Sequence, residues 1–423
     1  MNSVLQEVLK EINPPVEEIK NMKEKLNLFI EKLKEVLKQK NINAEIFVGG
    51  SFAKNTLVKK NKYDADVFLR FDKRYQNSEI SNLTQQILEK FEKVKKIHGS
   101  RDYFQIKISD NFFIELIPVY KIRRVKEAQN ITDLSYFHVR YIKKKVKSQK
   151  ILNEIKLAKA FCYAHHVYGA ESYIKGFSGY SLELIIFYYG SFIKFLKEIL
   201  KIKDEKLIID IEKYFKRKKD ILLDLNASKL NSPIILIDPT YKYRNVLAAL
   251  SKESLIKLQK AAKDFLKNPS IKKFKEEKTD LEKIKKQAEA KKQEFILIEA
   301  HTEKQEGDVA GSKLLKFYKH LGKEIKKYFK IKKRGFNYNK KHSARYYFVV
   351  KSRKEILIKG PLIKDKENVE KFEKKHKIYF TKKARIYSKK AVDFSIKEFV
   401  ENWKTKNKNK IKQMYINDLK IVY

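Results

Sequence analysis

Cysteine is almost absent from this chain, and long apolar runs are missing altogether. The 423 residues contain one cysteine, Cys162, which excludes an internal disulfide bond and a zinc site built from several cysteines. No run of about 18 apolar residues occurs, so we expect no membrane span. The first residues lack the pattern of a signal peptide. The sequence therefore predicts a cytoplasmic protein with no membrane partner.

Acidic residues are scarce relative to basic ones. The chain has 52 Asp and Glu against 97 Lys and Arg, a formal net charge of +45. This excess favours a polyanionic partner, most simply nucleic acid, because cationic side chains neutralise phosphates and release counterions. An A/T-rich genome, which encodes lysine-heavy proteins, explains part of the same excess. Charge alone therefore does not separate DNA, RNA and a membrane surface.

A buried strand followed by two glycines is the first informative motif. The apolar segment Ala44–Val48 predicts the strand, and Gly49 and Gly50 permit a tight turn with the backbone close to a ligand. Ser51 is suited to cap a short helix, whose first N–H groups can bind a phosphate. Alone, such a turn is usually no more than a turn, so its meaning depends on the residues that come after it.

Acidic residues stand out in two apolar segments further along the chain. Asp64 and Asp66 are two apart on the predicted strand Tyr63–Phe71, so both side chains leave the same face. Neighbouring carboxylates repel unless a cation lies between them, and oxygen ligands beside a triphosphate suit Mg²⁺. Glu115 lies in the apolar strand Phe112–Tyr120, where an unpaired charge is expensive. It can pair with a buried Lys or Arg; we prefer it as the third carboxylate of the cluster.

Strand, Gly-Gly-Ser turn, helix start and Asp-x-Asp strand together resemble the nucleotidyltransferase superfamily that includes DNA polymerase β, poly(A) polymerases and CCA-adding enzymes. Four more segments come in order: Glu-Leu-Ile-Pro-Val-Tyr, Tyr-Gly-Ala-Glu, Lys-Gly-Phe-Ser-Gly-Tyr and Asp-Pro-x-x-x-x-Arg-Asn-Val. With Asp64 and Asp66, they resemble the archaeal (class I) CCA-adding enzymes, which are tRNA nucleotidyltransferases. The similarity runs from the N-terminal helix to about Lys260 and is looser beyond it.

The resemblance implies an α+β multidomain fold. Residues 1–145 would form a catalytic nucleotidyltransferase domain, a polymerase β-like palm with a mixed sheet and helices. Residues 146–262 would form a central helical domain that completes the nucleotide pocket. Residues 263–423 would form an RRM-like α+β C-terminal region that binds tRNA.

The resemblance also implies the site residues. Asp64, Asp66 and Glu115 match the metal-binding catalytic carboxylates, although the family normally has Asp at the third position. Lys54 stands where the family usually has Arg, so the charge is kept and the bidentate fork is lost. The implied nucleotide contacts are Gly50, Ser51, Lys54, His138, Lys159, Tyr168, Asp238 and Arg244.

Each of these residues can also have a purely structural role that involves no nucleotide. On the residues alone, His138 is equally a surface histidine in a basic stretch, and Lys159 part of a solvated helix face. Tyr168 is equally a core residue. Arg244 follows Asp238 closely enough for a local salt bridge, whereas the resemblance has Arg244 read C and A by hydrogen bonds.

The function implied is that of a CCA tRNA nucleotidyltransferase. It would add C, C and A to the tRNA 3′ end from CTP and ATP with Mg²⁺, by two-metal-ion in-line phosphoryl transfer without a nucleic-acid template. The C-terminal region would grip the acceptor stem and T-arm, and the family allows a homodimer. One alternative is another superfamily member, such as a poly(A) polymerase or an oligoadenylate synthetase. The other is a non-catalytic RNA-binding protein on this scaffold.

Secondary structure outside the motifs is predicted from periodicity and turn residues. We expect a turn leading into a helix at Ile237–Ala248 and one solvated helix through the charged stretch Asp264–Glu294, with its start at Asn268-Pro269-Ser270. We also expect an amphipathic helix over Gly311–Gly335 and paired strands at Arg345–Val350 and Glu355–Lys359.

Aromatic residues alternate with Lys and Arg in the C-terminal region, and a lysine run covers Lys404–Lys412. Such a surface can follow an RNA backbone, although the same tyrosines can equally cap the core. The tyrosines concerned are Tyr338, Tyr346, Tyr379 and Tyr387.

Overall fold

The computed structural model describes residues 1–99, 101–277, 279–376 and 378–423. The chain divides into two compact units, Met1–Glu277 and Lys278–Tyr423. A boundary after residue 262 would cut the helix Lys252–Lys267, which lies whole within the first unit. The boundary between residues 145 and 146 stays a prediction.

The first unit begins with alternating helices and strands and continues mainly with helices. Its α-helices are α1 (Asn2–Ile12), α2 (Val16–Gln39), α3 (Gly50–Ala53), α4 (Asn77–Leu88), α5 (Ser135–Lys145), α6 (Gln149–Ala164), α7 (Gly179–Tyr189), α8 (Phe192–Lys201), α9 (Lys218–Asp224), α10 (Ala227–Leu230) and α11 (Lys252–Lys267). Its strands are β1 (Ala44–Val48), β2 (Tyr63–Phe71), β3 (Val94–Ile97), β4 (Tyr103–Lys107), β5 (Phe112–Tyr120), β6 (Leu207–Ile209), β7 (Ile234–Asp238) and β8 (Tyr241–Asn245). Short 3₁₀ helices cover Val125–Glu127, Ile131–Leu134 and Ile271–Phe274.

A mixed five-stranded sheet organises the start of this unit. Its strand order is β1-β2-β5-β4-β3, in which β2 and β5 are parallel and the other pairs antiparallel. The odd-numbered residues of β2, such as Ala65 and Val67, are buried in one core with Leu26 and Leu33 of α2. Because side chains alternate along a strand, the even-numbered residues of β2 leave the opposite face. The predicted palm-like sheet with helices is confirmed.

Aromatic side chains fill the core of the helical part. Phe161 of α6 packs against Phe192, Phe265 and Phe274, with ring centroids 5.3, 5.5 and 5.3 Å away. These rings come from α8, α11 and the last 3₁₀ helix, so one side chain joins three elements. Leu182, Leu184 and Ile185 of α7 are buried in the same core, so α7 packs with these elements.

The prediction of a turn leading into a helix after Ile237 is wrong. The chain forms a hairpin, in which β7 pairs with β8 and Pro239 and Thr240 make the turn. Asp238 Oδ1 accepts hydrogen bonds from the Thr240 backbone N–H at 2.9 Å and from Thr240 Oγ1 at 2.7 Å. This aspartate-centred turn reverses the chain, and tyrosine alternating with basic residues then favours a strand over a helix.

The second unit combines helices with two antiparallel sheets. Its helices are α12 (Leu281–Ala290), α13 (Asp308–Tyr328), α14 (Lys366–Lys375), α15 (Ile396–Lys406) and α16 (Lys408–Gln413). Its strands are β9 (Glu294–His301), β10 (Phe329–Tyr338), β11 (Ser343–Ser352), β12 (Glu355–Leu362), β13 (Tyr379–Lys382), β14 (Arg385–Ala391) and β15 (Asp418–Ile421). The sheet orders are β10-β11-β9-β15 and β12-β14-β13.

The larger sheet has the connectivity β9-α13-β10-β11-α15-β15, with the small sheet and α14 inserted before α15. Both the element order and the strand order are those of the ferredoxin-like β-α-β-β-α-β arrangement. The predicted α+β character is confirmed, whereas a specific likeness to RNA-recognition domains stays a prediction. Tyr346 belongs to the core, since it is fully buried and its hydroxyl donates to the Leu314 carbonyl at 2.9 Å.

Three local predictions for the C-terminal half are wrong. The amphipathic helix ends at Tyr328, because the alternation of apolar and basic residues beyond it is a strand pattern. The lysine-rich stretch before β9 is not one helix, since α12 begins only after its cap Asp280. Strands β11 and β12 belong to different sheets and do not pair with each other.

Within the described residues, no helix is both long and apolar enough to cross a bilayer.

Candidate active site

The parallel pairing of β2 and β5 brings the predicted carboxylates together. Asp66 lies directly opposite Glu115, and Asp64 lies opposite Phe113. Because side chains alternate along both strands, all three carboxylates leave the same face of the sheet. This face is the one turned away from the core beneath β2.

Burial and mutual repulsion raise the pKa values of two carboxylates on this face. Burial, followed by the charge of Asp64, raises the pKa of Asp66 to about 6. Burial, followed by the charges of the two aspartates, raises the pKa of Glu115 to about 7. Lys60 Nζ donates to Asp64 Oδ1 at 3.0 Å, and Gln105 Nε2 donates to Glu115 Oε1 at 3.4 Å. A further cation would therefore stabilise the ionised carboxylates.

The carboxylate oxygens of Asp64, Asp66 and Glu115 are the type of ligand that a divalent cation such as Mg²⁺ prefers. Among the described residues, no group of three or more His, Cys, Asp or Glu side chains forms a ready-made metal cage. Mg²⁺ does not require one, because it is held by one or two carboxylates, water and substrate phosphates. Three partly buried carboxylates on one face, two with raised pKa values, supply the oxygen ligands that such an ion takes.

The Gly49-Gly50 turn lies directly over this face. The Gly49 backbone N–H donates to the Asp66 carbonyl at 2.8 Å, and Gly50 has φ 62°. A Cβ at Gly50 would come within 1.6 Å of Asp66 Oδ2, so only glycine fits there. The prediction that Ser51 caps the adjoining helix is wrong, because Gly49 occupies the N-cap and Ser51 lies inside the first turn.

Two of the predicted phosphate-binding lysines meet at one buried carboxylate. Lys54 Nζ lies 2.6 Å from Glu183 Oε2, and Lys159 Nζ lies 2.7 Å from Glu183 Oε1. Thr56 Oγ1 donates to Glu183 Oε1 at 2.9 Å and accepts from Lys159 Nζ at 2.7 Å. We call Lys54, Thr56, Lys159 and Glu183 the lysine cluster. Lys159 is therefore not part of a solvated helix face.

The lysine cluster shifts the pKa values of its members. Burial lowers the pKa of Lys159 to about 8, while the charge of Glu183 acts in the opposite direction. Burial of Glu183 opposes its ionisation, but the charges of Lys159 and Lys54 prevail and lower its pKa to about 2.

Tyr168 lies beside the lysine cluster, since a Cβ on Gly179 would be 3.0 Å from the Tyr168 hydroxyl and 3.7 Å from Lys159 Nζ.

A second cluster forms around the hairpin of β7 and β8. Asp238 is fully buried and accepts hydrogen bonds from Arg244 Nη1 at 2.6 Å and from the Tyr180 hydroxyl at 3.1 Å. His138 Nε2 lies 3.0 Å from Asp238, and its ring stacks on Tyr180 with centroids 4.2 Å apart. We call Asp238, Arg244, His138 and Tyr180 the hairpin cluster. His138 is therefore buried and not a surface histidine.

The ionisation states within the hairpin cluster follow from burial and pairing. Burial opposes ionisation of Asp238, but the His138 hydrogen bond and the Arg244 charge hold its pKa well below the usual range. Burial lowers the pKa of His138, against the effect of Asp238. Arg244 is therefore the permanent cation of the cluster, and Asp238 fixes its orientation.

Sequence reasoning passed over Glu183, although a signal was present. Glu183 is the one charged residue in α7, whose other residues are uncharged, and such a position needs a buried partner. The same signal singled out Glu115. Thr56 gave no comparable signal, because its partners lie 103 and 127 residues away in the sequence.

Two family models match consecutive parts of the first unit. Residues 30–152 match the nucleotidyltransferase domain, and residues 153–275 match the model described as "tRNA nucleotidyltransferase, second domain". Together the two matches include every predicted site residue.

Curated relatives extend the similarity. The CCA-adding enzyme of Nanoarchaeum equitans is 42% identical over 208 residues, which cover 49% of this chain and 51% of that protein. The CCA-adding enzyme of Methanocaldococcus jannaschii is 29% identical over 400 residues, 92% of this chain and 87% of that protein. That of Sulfurisphaera tokodaii is 32% identical over 64% of this chain and 61% of that protein. The match thus spans about half of the first relative and most of the second.

Solved structures show the fold. The Cid1 poly(U) polymerase, in a structure described as bound to Mg and 3′-dATP, has a TM-score of 0.50 at 13% identity and covers 64% of this chain and 98% of that chain. Another structure of Cid1, an RNA terminal uridylyl transferase, has a TM-score of 0.51 at 14% identity and covers 65% of this chain and 97% of that chain. At these identities the likeness is one of architecture.

Proposed function

Since the chain belongs to the family of archaeal CCA-adding enzymes, we propose that it adds C, C and A in turn to the 3′ end of tRNA from CTP and ATP. No nucleic-acid template is used. The observation that carries the proposal is the register of β2 and β5, which sets Asp66 against Glu115 with Asp64 on the same face. The Gly49-Gly50 turn lies against Asp66, so its backbone is close enough to the carboxylate face to contact a triphosphate bound there.

Nucleotidyltransferases of this family use divalent metal ions, and Mg²⁺ is the ion proposed here. Asp64, Asp66 and Glu115 would hold it through carboxylate oxygens. Bound as a pair, such ions supply activation of the attacking 3′-hydroxyl and neutralisation of the leaving pyrophosphate. The protein's share is to position the reactants in line on the carboxylate face.

The remaining predicted residues hold the nucleotide in this proposal. Gly50 and Ser51 offer backbone and hydroxyl groups to the triphosphate, and the ammonium groups of Lys54 and Lys159 offset its charge. Tyr168, beside the lysine cluster, contacts the sugar or a phosphate. The role of each stays a proposal that substitution tests.

The hairpin cluster would read the base. Arg244 is anchored through one nitrogen on Asp238 at 2.6 Å, and the rest of its planar guanidinium can meet acceptors on cytosine or adenine. His138 and Tyr180 stack against each other and limit the movement of Asp238. Fixed donors discriminate between bases better than mobile ones, because a wrong base leaves buried polar groups unpaired.

The second unit would bind the acceptor stem and T-arm of tRNA. Its ferredoxin-like sheet and many lysines suit contacts to phosphates, since A-form helices hide their sequence from side chains. A homodimer and a cytoplasmic location stay predictions. Light scattering of the full chain tests the first.

The function is tested with tRNA that lacks its last three nucleotides. The proposal predicts incorporation that stops after C, C and A when CTP, ATP and Mg²⁺ are supplied. An open-ended A tail would favour a poly(A) polymerase or an oligoadenylate synthetase, and no incorporation would favour a non-catalytic RNA-binding protein.

The carboxylate assignment is tested by Asp66→Ala. Incorporation should fall by several orders of magnitude, because the charge opposite Glu115 is lost, while tRNA affinity stays within about three-fold. Asp110→Ala is the matched control, since Asp110 lies in the exposed turn between β4 and β5 with a side chain that is 99% exposed. Equal activity of the two variants would overturn the assignment.

A further inference from the structure

We propose that Glu183 is a positioning residue that holds Lys54 and Lys159 side by side for the triphosphate. This inference rests on the proposed function, because it gives the two lysines a nucleotide to bind. Glu183 itself would touch neither the nucleotide nor the reacting atoms. It would act through the two ammonium groups.

The geometry places both ammonium groups on a single carboxylate. One oxygen of Glu183 accepts from Lys54 at 2.6 Å, and the other accepts from Lys159 at 2.7 Å. The side chain of Glu183 is fully buried, and those of Lys54 and Lys159 are 8% and 5% exposed. Glu183 thus sets the separation and the direction of both cations.

Three separate parts of the first unit meet in the lysine cluster. Lys54 and Thr56 follow α3, Lys159 lies on α6, and Glu183 lies on α7. Thr56 bonds both Glu183 and Lys159, so it locks the carboxylate against the second ammonium group. The cluster therefore couples the turn over the carboxylate face to the helical part of the unit.

Charge balance explains why a carboxylate is needed here. Two buried ammonium groups lose hydration and repel each other, so neither would stay charged without an anion between them. One carboxylate against two lysines leaves the cluster with a net positive charge. A triphosphate would find two oriented cations, and an ammonium group that spends one N–H on Glu183 keeps others for phosphate oxygens.

A purely structural ion cluster would behave differently from a positioning one. Removing a structural carboxylate would lower the stability and leave nucleotide affinity unchanged in the folded fraction. Removing a positioning carboxylate would weaken CTP and ATP alike, because the triphosphate is common to both. It would raise KM more than it lowers kcat, because ground-state binding is lost.

The primary experiment is Glu183→Gln in the full chain. Equilibrium binding of CTP without tRNA should weaken by roughly ten-fold to a hundred-fold, the range for losing charge-assisted hydrogen bonds. In turnover, the KM values for CTP and ATP should rise together, and Glu183→Asp, which keeps the charge, should recover part of the loss. Glu154→Gln is the matched control, since Glu154 accepts from the Phe192 backbone N–H at 2.7 Å and should leave CTP binding unchanged.

A double-mutant cycle tests whether Glu183 acts through the lysines. In a Lys159→Met background, Glu183→Gln should weaken CTP binding by clearly less than it does alone, because one of the two positioned cations is already gone. If Glu183→Gln does not fold, Thr56→Val replaces it in the cycle, since it removes a hydrogen bond to the carboxylate and no charge. Additive effects would overturn the inference.

The outcomes separate this inference from the proposed function. If the wild type adds C, C and A but Glu183→Gln binds CTP as the wild type does, only the role of Glu183 is overturned. If the wild type binds CTP and adds no nucleotide to tRNA, the proposed function fails while the binding comparison still decides the role of Glu183.

Discussion

The ammonium group of Lys159 loses its proton nearer to neutrality than that of an ordinary lysine. Burial lowers its pKa to about 8, against the charge of Glu183. A bound triphosphate favours the charged form, so binding above this pKa must take up a proton. We therefore expect CTP affinity to fall as the pH rises from about 7.5 to about 9.5, where the phosphates of CTP no longer titrate. Equilibrium binding over this range measures it.

Lys159→Met serves as the control for that pH dependence. The variant has no titrating group at this position, so its weaker CTP binding should be nearly independent of pH over the same range. If the CTP affinity of the wild type does not change with pH, Lys159 does not control it. If the variant shows the same pH dependence as the wild type, another group is responsible.

Gly50 provides a second prediction at the level of single residues. Gly50→Ala would place a Cβ 1.6 Å from Asp66 Oδ2 at a backbone φ of 62°, so the carboxylate must move. Because displacements of about 1 Å can reduce rates by about 10²-fold, incorporation should fall by at least that factor. Single-turnover incorporation measures it.

Gly190→Ala is the matched control for that substitution. Gly190 also has a positive φ, of 74°, but a Cβ there would meet none of the described atoms within 4 Å. It therefore carries the backbone strain without the contact. Similar losses of activity in both variants would attribute the effect of Gly50→Ala to strain alone.

The placement of single residues could be predicted where their signal was local. The spacing of Asp64 and Asp66 and the lone charge of Glu115 were enough to place them on one face. Partnerships over long separations were not predictable, because nothing in the sequence near His138 indicates Asp238, which is 100 residues away. The lysine cluster escaped prediction for the same reason.

At the level of elements, one buried ion pair holds the end of β5. Asp133 accepts from Arg101 Nη1 at 2.6 Å and from the backbone N–H of Tyr120 at 3.0 Å. Asp133→Ala would leave the buried Arg101 charge without this partner, so we expect a loss of about 3–5 kcal/mol in the free energy of unfolding. Urea unfolding followed by a probe in the first unit measures it.

The control for that loss is an ion pair on the surface. Lys34 Nζ lies 2.9 Å from Glu31 Oε1 on α2 of the same unit, with side chains 58% and 65% exposed. Glu31→Gln should change the free energy of unfolding by about 1 kcal/mol or less. If Asp133→Ala has an equally small effect, the buried pair does not anchor the end of β5.

Helices and strands were predicted correctly where the spacing of apolar residues stayed constant along a segment. The predictions were wrong where that spacing changed without a break. β1, β2 and β5 match their predicted bounds, because apolar runs between turn residues define them. The change from helix to strand after Tyr328 carries no Gly or Pro to mark it, so the predicted helix ran on into β10. The β7–β8 hairpin was missed because the residues after the predicted turn were assigned to a helix, whereas Tyr241–Asn245, where tyrosine alternates with basic residues, forms β8.

At the level of the whole molecule, each unit has buried cores of its own, and the largest sheet of each unit pairs strands that are distant in the sequence. In the second unit, β15 joins β9 although the two are separated by α13, α15 and the inserted small sheet. Local patterns predict such strands but not their partners. The α+β class could therefore be predicted, whereas the ferredoxin-like strand order could not.

The net charge of +45 predicts that tRNA binding by the whole chain depends strongly on salt concentration. If the chain binds tRNA through phosphates, the logarithm of the affinity should fall linearly with the logarithm of the salt concentration, with a slope proportional to the number of neutralised phosphates. Lys408, Lys410 and Lys412 on α16 are exposed and belong to the lysine run that the sequence marks as a phosphate contact. Titrations of tRNA lacking CCA at several NaCl concentrations measure the slope.

Replacing these three lysines by Gln should make the slope less negative by up to about 2.7, because each lost phosphate contact contributes about 0.7–0.9. CTP affinity should not change, since the nucleotide is proposed to bind in the first unit. Lys366→Gln, Lys371→Gln and Lys375→Gln on the exposed helix α14 form the charge-matched control. If both triple variants change the slope equally, tRNA responds to total charge and α16 is not a defined contact. If neither changes it, the phosphates are bound elsewhere on the chain.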